Sequence, residues 1–97
     1  MYKSIVLYQA KEDIRKAAEW YNERQIGLGK RFISEVRNKV YYIRQNPKIS
    51  GVRFNNVRTA ILSDFPFMIH YTIDENIKAI LIVAVLHTSR DPGLWNR

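Results

Sequence analysis

Most residues that could do chemistry in this sequence lie in its final stretch, AVLHTSRDPGLWNR (84–97). An apolar run leads into His87 and Arg90, and Arg97 ends the sequence. Histidine transfers protons near neutral pH, and arginine holds anionic groups such as phosphate. The same side chains also suit a docking surface for a protein or for DNA. We expect Arg58 to lie near them.

Each of these residues also has a structural interpretation. His87 can end a strand by hydrogen bonding to the backbone. Arg90 can pair with Asp91 before Pro92 stops further strand pairing. Trp95 can cover the edge of a sheet. Two histidines without any cysteine do not make a metal site, and no cofactor is predicted.

The elements that must position these residues follow from hydrophobic periodicity. Residues 2–8 predict a short strand. Residues 10–26 predict a helix, because apolar side chains recur there at the helical period. Gly27-Leu28-Gly29 breaks that helix, and a second helix is predicted over 29–45. It ends at Asn46-Pro47, since the residue before proline is pushed out of the helical region. The two helices form an αα-hairpin.

From Val52 onward the period changes to two, which is typical of strands. Strands are predicted at 57–62, 67–74 and 77–87. The strand 77–87 is apolar at both its odd and its even positions, so we expect it to have a strand on each side. The N-terminal strand is the candidate for one of these neighbours. The sequence therefore predicts a single α+β domain over 1–97, ordered strand, helix, helix, three-strand meander. Its four-stranded sheet carries the αα-hairpin on one face.

This arrangement leaves the other face and one end of the sheet open. Arg58 alternates with the inward-facing residues of its strand, so we expect it to face outward. A two-residue turn at Glu75-Asn76 would place His70 and His87 on one face of the sheet. A three-residue turn would change that pairing, and both registers stay open.

The charge of the chain is concentrated in one segment. The net charge is +7, with 16 Lys and Arg against 9 Asp and Glu. Residues 28–58 alone carry this excess. On the second helix, Lys30, Arg37 and Arg44 recur every seven residues with Tyr41 among them, so they form a stripe away from the core face. That stripe is either solvated or meets an acidic protein or a phosphate backbone.

Length and composition predict an ordinary soluble domain. The chain has 97 residues, of which 46% are hydrophobic and 26% charged. It has no cysteine, which agrees with a reducing cytoplasm. The longest near-apolar run is far too short to cross a membrane, and the first residues show no signal-peptide profile. We expect a cytoplasmic protein without a membrane partner.

The order of these elements resembles the RelE/ParE superfamily of bacterial toxins. The match rests on WYNERQIGLGKRF (20–32), NP (46–47), VR (57–58), FPFMIHYTID (65–74) and AVLHTSRDPGLWNR (84–97), and it covers nearly the whole chain. It implies the growth-inhibiting toxin of a type II toxin–antitoxin or plasmid-stabilisation module. A cognate antitoxin, with an acidic or amphipathic segment, would bind it in a hetero-oligomer. The implied antitoxin contacts are Lys30, Arg37, Tyr41, Arg44 and Trp95.

The superfamily has two functional branches. RelE-like members cleave messenger RNA on the ribosome with basic residues of the sheet, whereas ParE-like members poison DNA gyrase and have no hydrolytic site. The nuclease branch typically has a basic residue three positions before the strand tyrosine. Here Tyr71 is preceded at that position by Met68, and the strand 67–74 contains no Lys or Arg. This departure favours the ParE-like branch.

The two branches give the same residues different roles. In a gyrase-binding toxin, Arg58, His87, Arg90 and Arg97 contact the target. In the alternative, a RelE-like endoribonuclease, Arg58 and Arg90 hold phosphate and His87 is a general acid or base. A third possibility is a non-toxic relative that only binds its antitoxin.

Overall fold

Two helices and five strands build this protein, in a computed structural model that describes residues 1–89. In chain order the elements are β1 (Lys3–Val6), α1 (Tyr8–Arg24), α2 (Leu28–Gln45), β2 (Val52–Phe54), β3 (Val57–Ile61), β4 (Phe67–Asp74) and β5 (Ala79–His87). The sheet order is β1-β5-β4-β3-β2, and only β1 and β5 are parallel. The predicted α+β architecture is confirmed, with β5 between two neighbours.

The helical hairpin begins earlier than its periodicity predicted. Leu7 is extended, and its carbonyl accepts the first helical hydrogen bond from Lys11 N at 3.0 Å, which shortens β1. Gly27 adopts a φ of 92° between the helices, where a side chain would be strained. Its N–H donates to Oδ1 of Asn22 at 2.8 Å, which closes the turn.

The two helices approach each other closely at one glycine. A Cβ added to Gly29 would lie 2.3 Å from the backbone oxygen of Ala18. On the sheet side, α2 contributes Phe32, whose ring packs edge-on against Phe65 and Phe67 at centroid distances of 5.2 and 5.1 Å. The core between the hairpin and the sheet is built from Ala10, Ala17, Ala18, Phe32, Val36, Ile43, Leu62, Phe65, Ile69, Tyr71, Ile80, Ile82 and Val85.

The sheet has five strands where four were expected, because β2 pairs with β3. The connection is Asn55-Asn56, with φ values of 46° and 66°. Asparagine tolerates this left-handed conformation, and two such residues in succession fit a tight hairpin turn. With three residues, β2 is too short for its periodicity to be recognised.

The register between β4 and β5 differs from the two-residue-turn expectation. Asp74 pairs with Ala79, so four residues make the connection. An irregularity between His70 and Tyr71 then shifts the ladder, and His70 pairs with Ala84 while Phe67 pairs with His87. Phe67 packs on the helix side, whereas His70 lies on the other face. The placement of both histidines on one face is therefore wrong.

The face away from the helices is not open at its centre. Met68, His70 and Leu86 are 3–5% exposed. Met68 and Leu86 are register partners on this face. Within residues 1–89, neither helix has the length and apolar character that a membrane crossing requires.

Candidate functional site

His87 stands at the end of β5 on the helix side of the sheet. Its ring packs edge-on against Phe67, with the centroids 5.4 Å apart. The Ser89 backbone N–H donates to Nδ1 at 3.1 Å, and Ser89 Oγ lies 2.8 Å from the same nitrogen. An Nδ1 that accepts a hydrogen bond leaves the proton of a neutral ring on Nε2, and nothing among residues 1–89 bonds to that nitrogen.

A groove of about 480 Å³ separates α1 from the adjoining ends of β4 and β5. Its residues are mostly apolar, and the charged or titratable ones among the described residues are Asp13, Lys16, Tyr21 and His87. Trp20 forms part of the wall and is 49% exposed. The Arg24 guanidinium lies 3.4 Å above the centre of the Trp20 ring, which places a further cation beside the groove.

Asp13 fixes α1 against the sheet at this groove. Its Oδ2 accepts a hydrogen bond of 3.0 Å from the backbone N–H of Val85. Beyond Val6 the parallel ladder between β1 and β5 has ended, so this N–H has no strand partner on that side. A carboxylate bond to a backbone N–H is charge-assisted and strong. The groove is therefore held by a defined contact between helix and strand.

Arg58 lies elsewhere, beside a buried tyrosine. It pairs with Tyr71 across β3 and β4, and its Nη1 donates to the carbonyl of Ser50. Tyr71 is 0% exposed, and its hydroxyl donates to the carbonyl of Pro47 at 2.7 Å. Burial raises the pKa of Tyr71 above its ordinary value. Arg58 is thus part-buried on the side of Tyr71, and the expectation that it faces outward is wrong.

The structure does not bring Arg58 and His87 together. Arg58 pairs with Tyr71 on one side of β4, and His87 pairs with Phe67 on the other. Four residues along the strand and two strand spacings separate their Cα atoms by about 16 Å. No group of three metal-ligating side chains occurs within residues 1–89. Three further predicted site residues lie outside the described part of the chain, namely Arg90, Trp95 and Arg97.

The predicted basic stripe of α2 divides into two parts. Lys30, Arg37 and Tyr41 are exposed, as expected. Arg44 is part-buried instead, because its Nε donates to the carbonyl of Tyr2 at 2.8 Å. The N–H of Tyr2 donates in return to the carbonyl of Arg44 at 3.1 Å. Arg44 therefore joins the end of α2 to the start of β1.

Sequence reasoning missed the groove, although some of its residues carried a signal. Trp20 falls at the edge of the apolar face of α1, where a large side chain is available to a second surface. The FPF segment at 65–67 places Phe67 against the same helix. These residues form one groove because α1 contacts the end of β5. The two segments are far apart in the sequence, and hydrophobic periodicity reports only on nearby residues.

The family of the chain follows from a match over most of its length. Residues 5–92 fit the model of the ParE toxin of the type II toxin–antitoxin system parDE. The chain belongs to the ParE toxin family. The resemblance to the RelE/ParE superfamily is thereby confirmed. No curated protein sequence matches this toxin.

Solved structures of toxin–antitoxin systems share the fold of this ParE-family toxin. It covers 93% of its length and all of a chain in the intact E. coli RelBE complex, with 13% identity and a TM-score of 0.69. For the chromosomal ParDE system of P. aeruginosa the coverages are 90% and 96%, with 16% identity and a TM-score of 0.65. For RelBE2 of Mycobacterium tuberculosis they are 89% and 96%, with 18% identity and a TM-score of 0.65. At such identities the likeness establishes the fold alone.

Proposed function

We propose that this ParE-family toxin inhibits growth by binding DNA gyrase and not by cleaving RNA. The observation that carries the proposal is the separation of Arg58 and His87, two groups that a metal-free nuclease would need side by side. Stabilising the charge of a phosphoryl transition state requires donors aimed at one point. Arg58 and His87 are about 16 Å apart by strand spacing. Tyr71, the strand tyrosine, is buried with its hydroxyl bonded to Pro47.

Target contacts fall, in this proposal, to the end of the sheet that follows β5. His87 is exposed there, and nothing among residues 1–89 bonds to its Nε2. Arg90 and Arg97 stay target contacts predicted from the sequence. Arg58 is less available to a target than His87, because its Nη1 already donates a hydrogen bond to the carbonyl of Ser50.

A cognate antitoxin would hold this toxin inactive by filling the groove beside α1. The groove has apolar walls and the cations Lys16 and Arg24 close to them. Such a surface complements a segment with apolar side chains flanked by carboxylates. Antitoxin contacts at Lys30, Arg37, Tyr41 and Trp95 stay predictions, whereas Arg44 is already bonded within the toxin.

Purified toxin tests the proposed target directly. We expect inhibition of gyrase supercoiling or trapping of cleaved DNA, with ribosome-bound messenger RNA left intact. His87→Ala should weaken gyrase inhibition about tenfold or more, since a buried polar contact to a target is lost. Thr88→Ala, its exposed neighbour, is the matched control and should retain full inhibition.

Two outcomes would contradict this function. Codon-specific cuts in a translating extract, abolished by His87→Ala, would assign the toxin to the RelE-like endoribonucleases. A chain that causes no growth defect but copurifies with the product of a neighbouring reading frame would be a non-toxic, antitoxin-binding relative.

A further inference from the structure

We propose that the outer face of α2 binds the phosphate backbone of duplex DNA. This outer α2 face consists of Lys30, Ser34, Arg37 and Tyr41, whose side chains are all exposed. It points away from the core residues of the same helix. The toxin would therefore hold DNA with a surface separate from the groove beside α1.

The cations of the outer α2 face are not neutralised within the described chain. Among residues 1–89, neither Lys30 nor Arg37 forms an ion pair. Glu19 and Glu23 of α1 line a shallow depression with Lys30 but do not pair with it. Glu35 is the only acidic residue of α2, and its carboxylate accepts the backbone N–H of Asp64 at 2.7 Å. Both cations are thus available to an external anion.

The residue types on this face fit phosphate better than protein. The buried centres of protein interfaces are depleted in lysine and serine, although they are enriched in tyrosine and arginine. Contacts to the DNA backbone, in contrast, come from arginine, lysine, serine and tyrosine side chains. The outer α2 face offers one of each, in Arg37, Lys30, Ser34 and Tyr41.

The geometry of the face favours a duplex over a single strand. Lys30 and Arg37 are two helical turns apart, which is about 10.5 Å along the axis. A straight row of cations on a rigid helix matches the regular backbone of a duplex. Single-stranded sites instead rely on several aromatic side chains on which bases stack, and this face has only Tyr41. The choice of DNA over duplex RNA rests on the proposed gyrase target.

Binding to a short fluorescein-labelled DNA duplex, followed by anisotropy between about 50 and 200 mM KCl, tests this inference. The slope of log K against log salt is negative, and each lost phosphate contact makes it shallower by about one. The Lys30→Gln/Arg37→Gln double variant should therefore have a slope that is shallower by about two. Lys3→Gln/Lys11→Gln removes the same charge from exposed lysines elsewhere and should keep the wild-type slope.

Three results would overturn the inference. Equal losses in both double variants would mean that only the net charge acts. An unchanged slope in Lys30→Gln/Arg37→Gln would place the DNA contact elsewhere. Binding of poly-glutamate or duplex RNA in place of DNA, lost in the same variant, would assign the face to another partner. DNA binding with the expected slopes but without gyrase inhibition would contradict only the proposed function.

Discussion

The two helices of the hairpin carry their charges differently. On α1, Arg15 forms ion pairs with Glu12 and Glu19, each at 2.9 Å, so the exposed side of the helix largely neutralises itself. On α2, Lys30 and Arg37 have no carboxylate partner within residues 1–89. The charge of α1 therefore supports its own helix. On α2, Arg31 pairs with Asp64 at 3.1 Å, while Lys30 and Arg37 are available to another molecule.

The inner sides of the helices differ as well. The buried residues of α1 are the alanines at 10, 17 and 18, whereas α2 buries Phe32, Val36 and Ile43. Small side chains let α1 lie close to β5 and to α2, and the large ones of α2 fill the space above the sheet. Helix α2 thus anchors the core with one side and presents unpaired cations with the other.

Truncating the aromatic anchor of α2 should have the largest effect on stability. Phe32 is 0% exposed, so Phe32→Ala should lower the free energy of unfolding by about 3–5 kcal/mol. Trp20→Ala on α1 should cost much less, because half of that ring is already in solvent. Urea unfolding followed by circular dichroism measures both. Equal losses would mean that α1 anchors the core as strongly as α2.

The contact between the helices should be the next most sensitive point. Gly29→Ala places a methyl group 2.3 Å from the Ala18 backbone oxygen, so the helices must separate. Forcing such a group into a packed contact costs about 1–3 kcal/mol, which thermal unfolding resolves. Gly51→Ala is the matched control, since nothing lies within 4 Å of the added Cβ. A Gly29→Ala protein with the wild-type melting temperature would contradict the close approach.

The smallest expected effect on stability concerns Glu75, whose carboxylate pairs with Lys48 of the basic segment 28–58. Glu75 accepts a hydrogen bond from the Tyr2 hydroxyl at 2.6 Å and pairs with Lys48 and Lys78. The Tyr2 hydroxyl, followed by the lysines, lowers the pKa of Glu75 in the folded state. Its stabilising effect is therefore present above the unfolded-state pKa of about 4.3 and disappears as the pH falls through the lower folded value.

Replacing this carboxylate should change the pH dependence of unfolding. Glu75→Gln should melt slightly below the wild type at neutral pH, and the difference should close as the pH falls below about 4. Glu23→Gln is the control, because Glu23 is exposed and forms no ion pair within residues 1–89. A difference for Glu75→Gln that persists at acid pH would show that lost packing, and not charge, is responsible.

The regular elements were predictable wherever a period was long enough to recognise. Residues 67–74 alternate cleanly and form β4 with the expected bounds, and α2 begins one residue before its predicted start. The strand β2 escaped detection because three residues do not establish a period. The shift at His70 and Tyr71 depends on how two distant strands twist together, which local pattern does not contain.

The candidate site was less predictable than the fold. The types of His87 and Arg58 suggested a shared site, but their positions depend on strand order and register, which separate them. Arg44 looked like a surface cation by its spacing, and only the path of the chain at Tyr2 reveals that it is used internally. Exposure of Lys30, Arg37 and Tyr41 was predictable, because helical spacing places them away from the core face and no other segment among residues 1–89 covers them.

The bond between Asp13 and Val85 also protects the sheet against unwanted assembly. Where β1 ends, the last residues of β5 have no strand beside them on that side within residues 1–89. Such an edge is a template on which another polypeptide can add. The Asp13 carboxylate accepts a hydrogen bond from the Val85 N–H, which places a negative charge beside that edge. An incoming strand would have to displace it and bury the charge. The Asp13 side chain thus opposes strand addition at this edge of β5.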